Sequence, residues 1–416
     1  MNNKLTKLEK SWVLYDVGNS AFVLLISTII PIYFNYLAQN GGVSETDAVA
    51  YWGYTASIVT IIVAILGPIF GSLSDFKNFK LPIFLTTVLV GVIGCSLLSI
   101  PMNWLLFLFI FAIAKIGYNS SLIFYDSMLV DITSTTRSDK VSSVGYALGY
   151  IGSCIPFIVS LVIVLFYEKI NMSFEVAMAL AFIITGLWWL VMTIPLLKNY
   201  KQDKCVENNA NFKNCFKNIA INLKDMAKNK YVLLFLIAFF FFIDGVYTII
   251  DMATIYGTSL GLDQTMLLIA LLVTQIVAFP FAILFGFLSS KIRISWLLIT
   301  CIIAYTGIAT FAIFMQTQLH FWILAVLVGM FQGGIQALSR SYFAKIIPEE
   351  KAGSYFSLLD ICGKGASFLG TFLVSLFTQI TNSANKGITV LSVMFVIGLV
   401  VFIIADIGVK RSGKKI

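Results

Sequence analysis

Charged side chains in the middle of long apolar segments are the first residues in this sequence that suggest chemistry. Asp244 and Asp251 are seven residues apart, which on a helix gives nearly the same azimuth and a separation of about 10 Å along the axis. An ionised side chain at the centre of a bilayer costs ~2.5–3.5 kcal/mol even on a lenient insertion scale, so it faces a cavity or a partner. We therefore expect both carboxylates to line one solute pathway. A static contact with a cation or with hydroxyl groups of neighbouring helices is the alternative.

A second constellation has both signs of charge on one helix face. Asp360 and Lys364 are four residues apart and within reach of each other. A solute that carries an ammonium and a carboxylate competes for the two partners, which is a recognition chemistry for amino acids. A static ion pair within the helix is the alternative. Lys115, another cation inside an apolar segment, is expected to hold a carboxylate or to pair with Asp244 or Asp360.

Neutral hydrogen-bonding side chains in the same segments suit a small polar solute, although each alone is more often a contact between helices. These residues are Asn119, Gln275, Gln332 and Gln336. Near the start of the first apolar segment, Asp16 and Asn19 predict a gate or a binding element, with a helix-end position as the alternative for Asp16. Asp126 and Arg340, at the ends of two segments, predict ion pairs of an inner gate; membrane anchoring is the alternative for Arg340.

The elements that carry these residues are membrane spans. The chain of 416 residues is 59% hydrophobic and 12% charged, with a mean hydropathy of +0.93, whereas charged residues approach ~25% in soluble domains. Twelve apolar segments are close to the ~20 residues that cross a bilayer. The predicted spans are 13–37, 52–70, 81–100, 104–124, 144–166, 176–197, 231–256, 266–288, 294–315, 321–343, 355–377 and 388–407.

Cations predict the orientation, because Lys and Arg that flank spans stay on the cytoplasmic side. With the N-terminus inside, all but four of the 28 Lys and Arg fall in cytoplasmic segments. Both termini are therefore expected in the cytoplasm, for a multi-pass protein of the cytoplasmic (plasma) membrane. The net charge of +8 follows from this topology and gives no reason to expect nucleic acid as a partner. The first segment lacks a cleavage pattern, so we expect a mature span and not a signal peptide.

One long hydrophilic stretch, residues 198–230, separates six spans from six. Its apolar residues recur at steps of four and three, which is typical of one helix face: Phe212, Phe216, Ile219, Leu223 and Met226. We expect an amphipathic helix on the inner membrane surface, and a soluble helix packed against protein is the alternative. The stretch predicts three regions: a six-helix half over 1–197, a cytoplasmic linker over 198–230 and a second half over 231–416.

The two halves carry related loops. Residues 71–80 read GSLSDFKNFK after the second span, and residues 286–293 read GFLSSKIR after the eighth. In each, a glycine permits close helix approach, a polar residue follows four positions later, and cations come next. Such a repeat implies a two-fold transporter with the solute path between its halves. Gly71 and Asp75 are accordingly expected to belong to the cytoplasmic gate.

The paired loops resemble the loop signature of the major facilitator superfamily. Further motifs resemble the vacuolar-effluxer-like family of that superfamily: WVLYDVGNSAF at 12–22, DGV at 244–246, QGGIQALSRS at 332–341 and DICGK at 360–364. Lys115 departs from the small or apolar residue expected at its position. The resemblance implies an all-α integral membrane fold of twelve transmembrane helices in two pseudo-symmetric six-helix halves. The family is named for a fungal member that exports amino acids from the vacuole during autophagy.

Other functional classes fit the sequence poorly. Gly363 and Lys364 lack the spacing of a phosphate-binding loop, and the chain has one histidine, so neither a nucleotide-driven pump nor a membrane enzyme is indicated. The prediction is a secondary active transporter of a small polar solute, with amino-acid efflux by alternating access and proton coupling through Asp244 or Asp360. We expect a monomer without cofactor or metal. A proton-coupled exporter of amphipathic compounds and a non-transporting membrane scaffold are the alternatives.

Overall fold

A computed structural model describes residues 4–206, 229–259, 262, 264–381 and 384–411. The side chains of Asp251 and Lys364 lie outside this description, and so does the predicted amphipathic helix of the linker, because residues 207–228 are outside it. Within the described residues, all repeating secondary structure is helical, and a single isolated bridge joins Phe76 to Val206. The all-α prediction is confirmed.

In its described residues, the first half contains eight helices, which provide six segments long and apolar enough to cross a membrane. They are α1 (Lys7–Ser27), α2 (Ile29–Asn40), α3 (Glu45–Ser74), α4 (Lys80–Leu97), α5 (Trp104–Ser127), α6 (Leu129–Ile132), α7 (Ser138–Leu165) and α8 (Phe174–Asn199). The first predicted span is two helices, because the chain breaks at Thr28, whose φ and ψ are −132° and −76°. Pro31 explains the break, since its ring has no N–H and collides with the carbonyl of the preceding turn.

The described part of the second half contains six long helices and one short 3₁₀ turn. The helices are α9 (Lys230–Ser259), α10 (Gln264–Leu288), α11 (Ile294–Ala312), α12 (Gln318–Ile346), α13 (Ala352–Thr381) and α14 (Ala384–Arg411), and the turn is Glu349–Lys351. Eleven segments of the described chain are long and apolar enough to cross a membrane. The predicted span 355–377 lies in α13, where the side chains of residues 364–368 are outside the description and the described apolar stretch is Leu369–Thr378.

Local sequence explains where several helices begin. Thr6 and Glu9 form a capping box at α1, in which the Thr6 hydroxyl accepts from the Glu9 amide at 3.1 Å and the Glu9 carboxylate accepts from the Thr6 amide at 2.7 Å. Asn103 caps α5 through its side-chain oxygen, which accepts from the Leu106 amide at 2.9 Å. Ser44, Ser173 and Thr317 cap three further helices in the same way.

Helix packing in one half is repeated in the other. In the first half α1 packs on α7 and α8, and α5 packs on α3 and α4; in the second half α9 packs on α13 and α14, and α12 packs on α10 and α11. Between the halves, α3 packs on α13 and α7 packs on α10. The two-fold repeat expected from the loops is therefore confirmed as two pseudo-symmetric halves that meet along two seams.

The outer surface of the bundle is apolar, as a lipid-facing surface requires. Ile61, Leu165 and Phe314 are 59%, 65% and 67% exposed. Charged groups such as Asp16, Asp244 and Arg340 are buried inside. This arrangement directs the polar side chains toward the interior between the helices.

Candidate functional site

A cavity of about 360 Å³ lies between the two halves. Its wall contains aromatic hydroxyls, side-chain amides, three carboxylates and one guanidinium. The polar lining residues are Asp16, Asn19, Ser20, Tyr118, Asn119, Tyr125, Asp126, Tyr146, Tyr150, Ser153, Tyr247, Gln275, Gln332, Gln336, Arg340 and Asp360. A small solute with groups of both charges finds partners on both sides of this space.

Arg340 lies in the cavity wall, and its hydrogen bonds join the two halves. It comes from α12, and its Nη1 donates to Asp126 Oδ1 of α5 at 2.9 Å. Its Nε donates to Ser142 Oγ of α7 at 2.9 Å, and its Nη2 donates to the Ser142 carbonyl at 3.1 Å. Asp16 Oδ2 of α1 is 3.6 Å from Nη2, longer than a direct hydrogen bond. Asp16 is therefore the more loosely held of the two carboxylates.

Aromatic rings surround the guanidinium. The Arg340 carbon Cζ is 4.4 Å from the Tyr146 ring centre, 4.6 Å from Trp12 and 5.4 Å from Tyr125. Cation–π contacts of this kind strengthen when the ring and the cation are shielded from water. The planar guanidinium is thereby fixed in orientation while it stays on the cavity wall.

A glycine of α7 makes room for this cluster. A Cβ atom on Gly145 would lie 2.9 Å from Asp16 Oδ2, 3.1 Å from the Trp12 ring and 3.3 Å from Arg340 Nη2. Any larger residue would push the pair apart. Small residues in a membrane bundle permit close packing, and here the small residue lets the charged groups of Asp16 and Arg340 lie close together.

At one end of the bundle, which we call the terminal end because residues 4–6 and 200–206 lie there, α3 and its loop meet α13. We call this contact the first seam. Asp75 Oδ1 accepts from the Gly353 amide at 2.7 Å, and Asp75 Oδ2 accepts from the Ser354 amide at 3.1 Å and from the Ser354 hydroxyl. A carboxylate at a helix N-terminus satisfies free amides and favours the helix dipole.

Asp75 lies between two membrane-spanning segments, Tyr51–Ser74 and Lys80–Leu97. Burial raises the pKa of its carboxyl group to about 6, although the Lys80 ammonium and the donors of Gly353 and Ser354 act in the opposite direction. The carboxyl group is therefore ionised at neutral pH and takes up a proton in mild acid.

The second seam is the contact of α7 with α10 and α12 at the same end. Lys345 Nζ donates to Asp139 Oδ2 at 2.7 Å, and both side chains are 8% exposed. Ser142 Oγ also donates to the Ala337 carbonyl at 2.8 Å. With both seams made, the terminal end of the cavity is closed.

The structure brings most of the predicted residues together. Asp16, Asn19, Asn119, Gln275, Gln332, Gln336 and Asp360 line the cavity, and Gly71, Asp75, Asp126 and Arg340 take part in contacts between the halves. Two predicted pathway residues lie elsewhere. Lys115 is absent from the cavity wall, and its ammonium lies 5.7 Å from the Phe111 ring centre.

Asp244 also departs from the predicted position on a solute pathway, because it is fully buried between α9 and α13 and does not line the cavity. Its Oδ1 accepts from the Gly370 amide at 3.0 Å and from Thr248 Oγ1 at 3.2 Å. Among the described residues Oδ2 has no hydrogen-bond partner. The helix azimuth, which hydropathy does not reveal, turns this carboxylate away from the other half.

Sequence reasoning missed several residues of the site. Tyr146 and Tyr150 line the cavity from α7, and the Lys345–Asp139 pair closes the second seam. The tyrosines follow Gly145 and Gly149 directly, so a repeat of glycine and tyrosine at a spacing of four was the available signal. No signal connects Asp139 with Lys345, which are 206 positions apart.

A second chamber of about 380 Å³ adjoins the cavity inside the second half and has a mainly apolar lining. Gln275 and Gln332 belong to both walls. In the described part of the chain, no group of three or more His, Cys, Asp or Glu side chains is placed to hold a metal ion.

Comparison with known proteins identifies a family to which this chain is similar. The profile described as "Vacuole effluxer Atg22 like" matches residues 44–415. The chain is 42% identical to the protein named "Uncharacterized MFS-type transporter YxiO" of Bacillus subtilis (strain 168), over 96% of this chain and 95% of the relative. It is 24% identical to autophagy-related protein 22 of Saccharomyces cerevisiae (strain S288c), over 98% and 92% of the two chains.

Two solved transporter structures are similar in fold to this chain. A bacterial homologue of the iron transporter ferroportin, in an outward-facing state, superposes with a TM-score of 0.70 at 16% identity, covering 96% of this chain and 98% of its own. The major facilitator transporter FucP in its outward conformation gives a TM-score of 0.70 at 12% identity, covering 96% and 97%. At these identities the likeness shows the fold alone.

Proposed function

This chain belongs to the vacuole effluxer Atg22-like family of the major facilitator superfamily, and on that premise we propose that it exports amino acids by alternating access as a secondary active transporter. The broader statement, a membrane transporter of the major facilitator type, follows from the family and the fold. The choice of amino acids rests on the chemistry of the cavity.

One observation carries this choice: the cavity presents a guanidinium from one half that faces carboxylates from the other. Arg340 of the second half faces Asp16 and Asp126 of the first, and Asp360 adds a carboxylate from the second. The carboxylate of an amino acid pairs with Arg340, while its ammonium pairs with Asp16. The cavity volume of about 360 Å³ lies near the lower end of the ~300–1,000 Å³ range of ligand pockets, which favours a small solute.

Competition between the solute and the protein for the donors of Arg340 also provides a way to open the terminal end. A solute carboxylate that takes up guanidinium donors weakens the contacts of Arg340 with Asp126 and Ser142, which hold α12 against α5 and α7. Binding therefore loosens the same end of the bundle that must open next. We place this terminal end on the cytoplasmic side of the plasma membrane, because most Lys and Arg of the described loops lie there.

Proton coupling through Asp244 or Asp360 completes the proposal. Asp360 lies on the cavity wall, where a change of access changes its contact with water. Asp244 has a carboxyl oxygen without a hydrogen-bond partner among the described residues, and an unsatisfied charge there is costly inside a membrane. Either group gains from binding a proton in one state. If the Asp244→Asn and Asp360→Asn double variant kept its dependence on a pH gradient, this part of the proposal would be wrong.

Proteoliposomes loaded with an amino-acid mixture test the proposal directly. Release is measured by mass spectrometry with and without an imposed pH gradient, and Asp16→Asn is compared with Glu168→Gln. Glu168 is exposed near the end of α7 away from the terminal end, so its variant is the matched control. We expect Asp16→Asn to slow release by on the order of tenfold, as the loss of a charged contact with the solute ammonium implies.

A second arm examines whether both charges of the solute are read. One amino acid, the amine that lacks its carboxylate and the acid that lacks its ammonium are compared as competitors of release. The proposal expects strong competition from the amino acid alone. Equal competition by the amine would show that Arg340 plays no part in recognition, and no amino-acid release under any condition would reject amino acids as the cargo.

The apolar chamber favours one alternative, an exporter of amphipathic compounds. It adjoins the polar cavity at Gln275 and Gln332, so a molecule with a charged head and an apolar tail fits across both spaces. Leu271→Phe, which fills the chamber, separates the two functions. Amphipathic cargo loses transport in this variant, whereas a small amino acid such as alanine is unaffected.

A further inference from the structure

The described start of the linker, residues 200–206, is attached to the first half beyond the end of α8. We call this segment the strap. Its anchor is Asp131, a fully buried carboxylate of α6 that lies 3.4 Å from Lys80 Nζ. Asp131 Oδ2 accepts from the Tyr200 hydroxyl at 2.6 Å, and Oδ1 accepts from the Lys204 amide at 2.7 Å and the Asp203 amide at 3.3 Å.

The strap also lies along the loop that carries Asp75. Gln202 Nε2 donates to the Ser74 carbonyl at 2.8 Å, and the Val206 amide donates to the Asp75 carbonyl at 2.8 Å. Val206 and Phe76 form the isolated parallel bridge. The backbone on both sides of the gate carboxylate is therefore bonded to the linker, whereas the Asp75 side chain reaches the other half.

These contacts make a continuous path from Asp131 to α13. Asp131 holds the strap, the strap holds the Asp75 backbone, and Asp75 accepts from Gly353 and Ser354. Charged hydrogen bonds need donor–acceptor distances near 2.7–3.1 Å, so a small displacement of the loop weakens them. Asn78 adopts a left-handed φ of 67°, which is typical of an Asn in a tight turn.

A second contact joins the strap to the opposite half. Lys204 Nζ lies 2.8 Å from Glu349 Oε2 in the turn before α13. Their side chains are 45% and 37% exposed, so water screens this pair and it contributes little by itself. The buried anchor at Asp131, and not this surface pair, is the part of the strap with energetic weight.

We infer that the strap is a positioning element of the gate: by its attachment to Asp131, the linker holds the Asp75 loop in the place where it caps α13 and closes the terminal end. The inference assumes the alternating access of the proposed function but not its cargo. Its test therefore needs no transported solute.

Hydrogen–deuterium exchange at the Gly353 and Ser354 amides is the readout. They lie in the first turn of α13, where amides depend on a capping acceptor, so their exchange reports the contact with Asp75. The variant Asp131→Asn replaces one acceptor oxygen by an NH₂ group that faces the strap donors. We expect exchange at Gly353 and Ser354 to rise on the order of tenfold, as expected for the loss of a charged hydrogen bond.

A milder variant and a control complete the design. Tyr200→Phe removes one hydrogen bond without burying a charge, and we expect a rise of about threefold at the same two amides. Arg137→Gln is the control, because it breaks the Glu9–Arg137 pair of 2.7 Å at the same end of the same half, and the described partners of the Arg137 side chain belong to the first helix and the residues before it. Exchange at Gly353 is expected to be unchanged in this control.

The outcomes separate positioning from local structure. If Asp131→Asn and Tyr200→Phe raised exchange within the strap but left Gly353 and Ser354 as in the wild type, the inference would be overturned. Should Asp131→Asn fail to fold, Tyr200→Phe decides alone. If the protein exports no amino acid but the variants change exchange at α13, the role of the strap is supported and amino acids are rejected as the cargo. If the protein exports amino acids but the variants leave exchange at α13 unchanged, the cargo is supported and the role of the strap is rejected.

Discussion

The loops at 71–80 and 286–293 occupy equivalent places in the two halves but close the terminal end differently. Both begin with a glycine pressed against the other half: a Cβ on Gly71 would lie 2.7 Å from the Gly353 carbonyl, and one on Gly286 would lie 2.7 Å from Ser143 Cβ. Four positions later they diverge. Asp75 caps the opposite helix, whereas the exposed Ser290 donates to the Phe287 carbonyl of its own loop at 2.7 Å.

This difference shows that the repeat preserves close approach more strictly than charge. The first seam depends on a carboxylate that accepts backbone donors, and the strap supports it from behind. The second seam depends on Lys345 and Asp139, which belong to helices and not to the repeated loop. Each seam can therefore be weakened separately. The first seam differs from the second in that its carboxylate accepts hydrogen bonds from the first turn of a helix.

A common measurement serves the following predictions. Spin labels at Lys10→Cys and Lys291→Cys, both exposed at the terminal end and one in each half, report the open fraction by pulsed distance measurement. The background replaces Cys205, Cys215 and Cys362 by Ser to leave the labels specific.

The largest expected effect is the loss of the carboxylate. Asp75→Ala removes the acceptor of three hydrogen bonds in the first seam, and the open fraction should rise on the order of a hundredfold, since each hydrogen bond to a charged group contributes ~1.5–3 kcal/mol. Ser290→Ala is the matched change in the second loop and should alter it by less than about twofold. Equal effects of the two variants would contradict the asymmetry between the seams.

The glycines test close approach. Gly71→Ala and Gly286→Ala should both raise the open fraction, by about tenfold, because overpacking costs ~1–3 kcal/mol. Adding Ser143→Gly should restore closure to Gly286→Ala, since the obstructing atom is a side-chain carbon. Adding Ser357→Gly should not restore Gly71→Ala, because the Gly353 carbonyl still blocks it. Rescue of both would show that the seams are equivalent.

Acidification should strengthen the first seam. The pKa of Asp75 is raised to about 6 from an ordinary 3.8, so the closed end binds a proton more tightly than an open end in which the carboxyl group meets water. The free energy that favours the closed end over the open end therefore increases as the pH falls through about 6. Above this pH the increase is absent. Between pH 7 and pH 5 the ratio of closed to open molecules should rise about tenfold. Lys80 is the charged group that opposes the shift, and Asp75→Asn should remove the dependence.

The smallest expected effect concerns the second seam. In a double-mutant cycle with Asp139→Asn and Lys345→Met, the changes in opening should be non-additive by at least ~0.5 kcal/mol, since the two groups are in contact. The same cycle with Asp75→Asn and Lys345→Met should be additive, because these residues lie on different seams. Coupling between Asp75 and Lys345 would show that the two seams open together.

Much of the architecture was predictable because its signals are local. Hydropathy runs gave the membrane helices, and the glycine loops gave the two halves. Pro31 was visible in the sequence, but the division of the first span at Thr28 was not predicted, since a proline in a membrane helix has several possible outcomes. The Asp360–Lys364 pairing stays a prediction, as do the linker helix and the role of Asp251.

The sequence predicted which polar residues face the interior of the bundle, but not all of their positions there. That Asp16, Gln332 and Arg340 face a shared interior follows from the cost of polar groups in lipid, which each residue meets independently of its neighbours. The same cost predicted Asp244 and Lys115 as pathway residues, and for them the structure shows burial within one half and a contact with Phe111.

The sequence by itself determined the insertion of its apolar segments and the two-fold repeat, because transfer of apolar segments into lipid is nearly additive along the chain. Only the tertiary structure decided which polar groups meet. Arg340 and Asp126 are 214 positions apart, and Asp75 and Gly353 are 278 apart. Those contacts depend on helix azimuth and on the docking of two halves, for which no single segment carries the information.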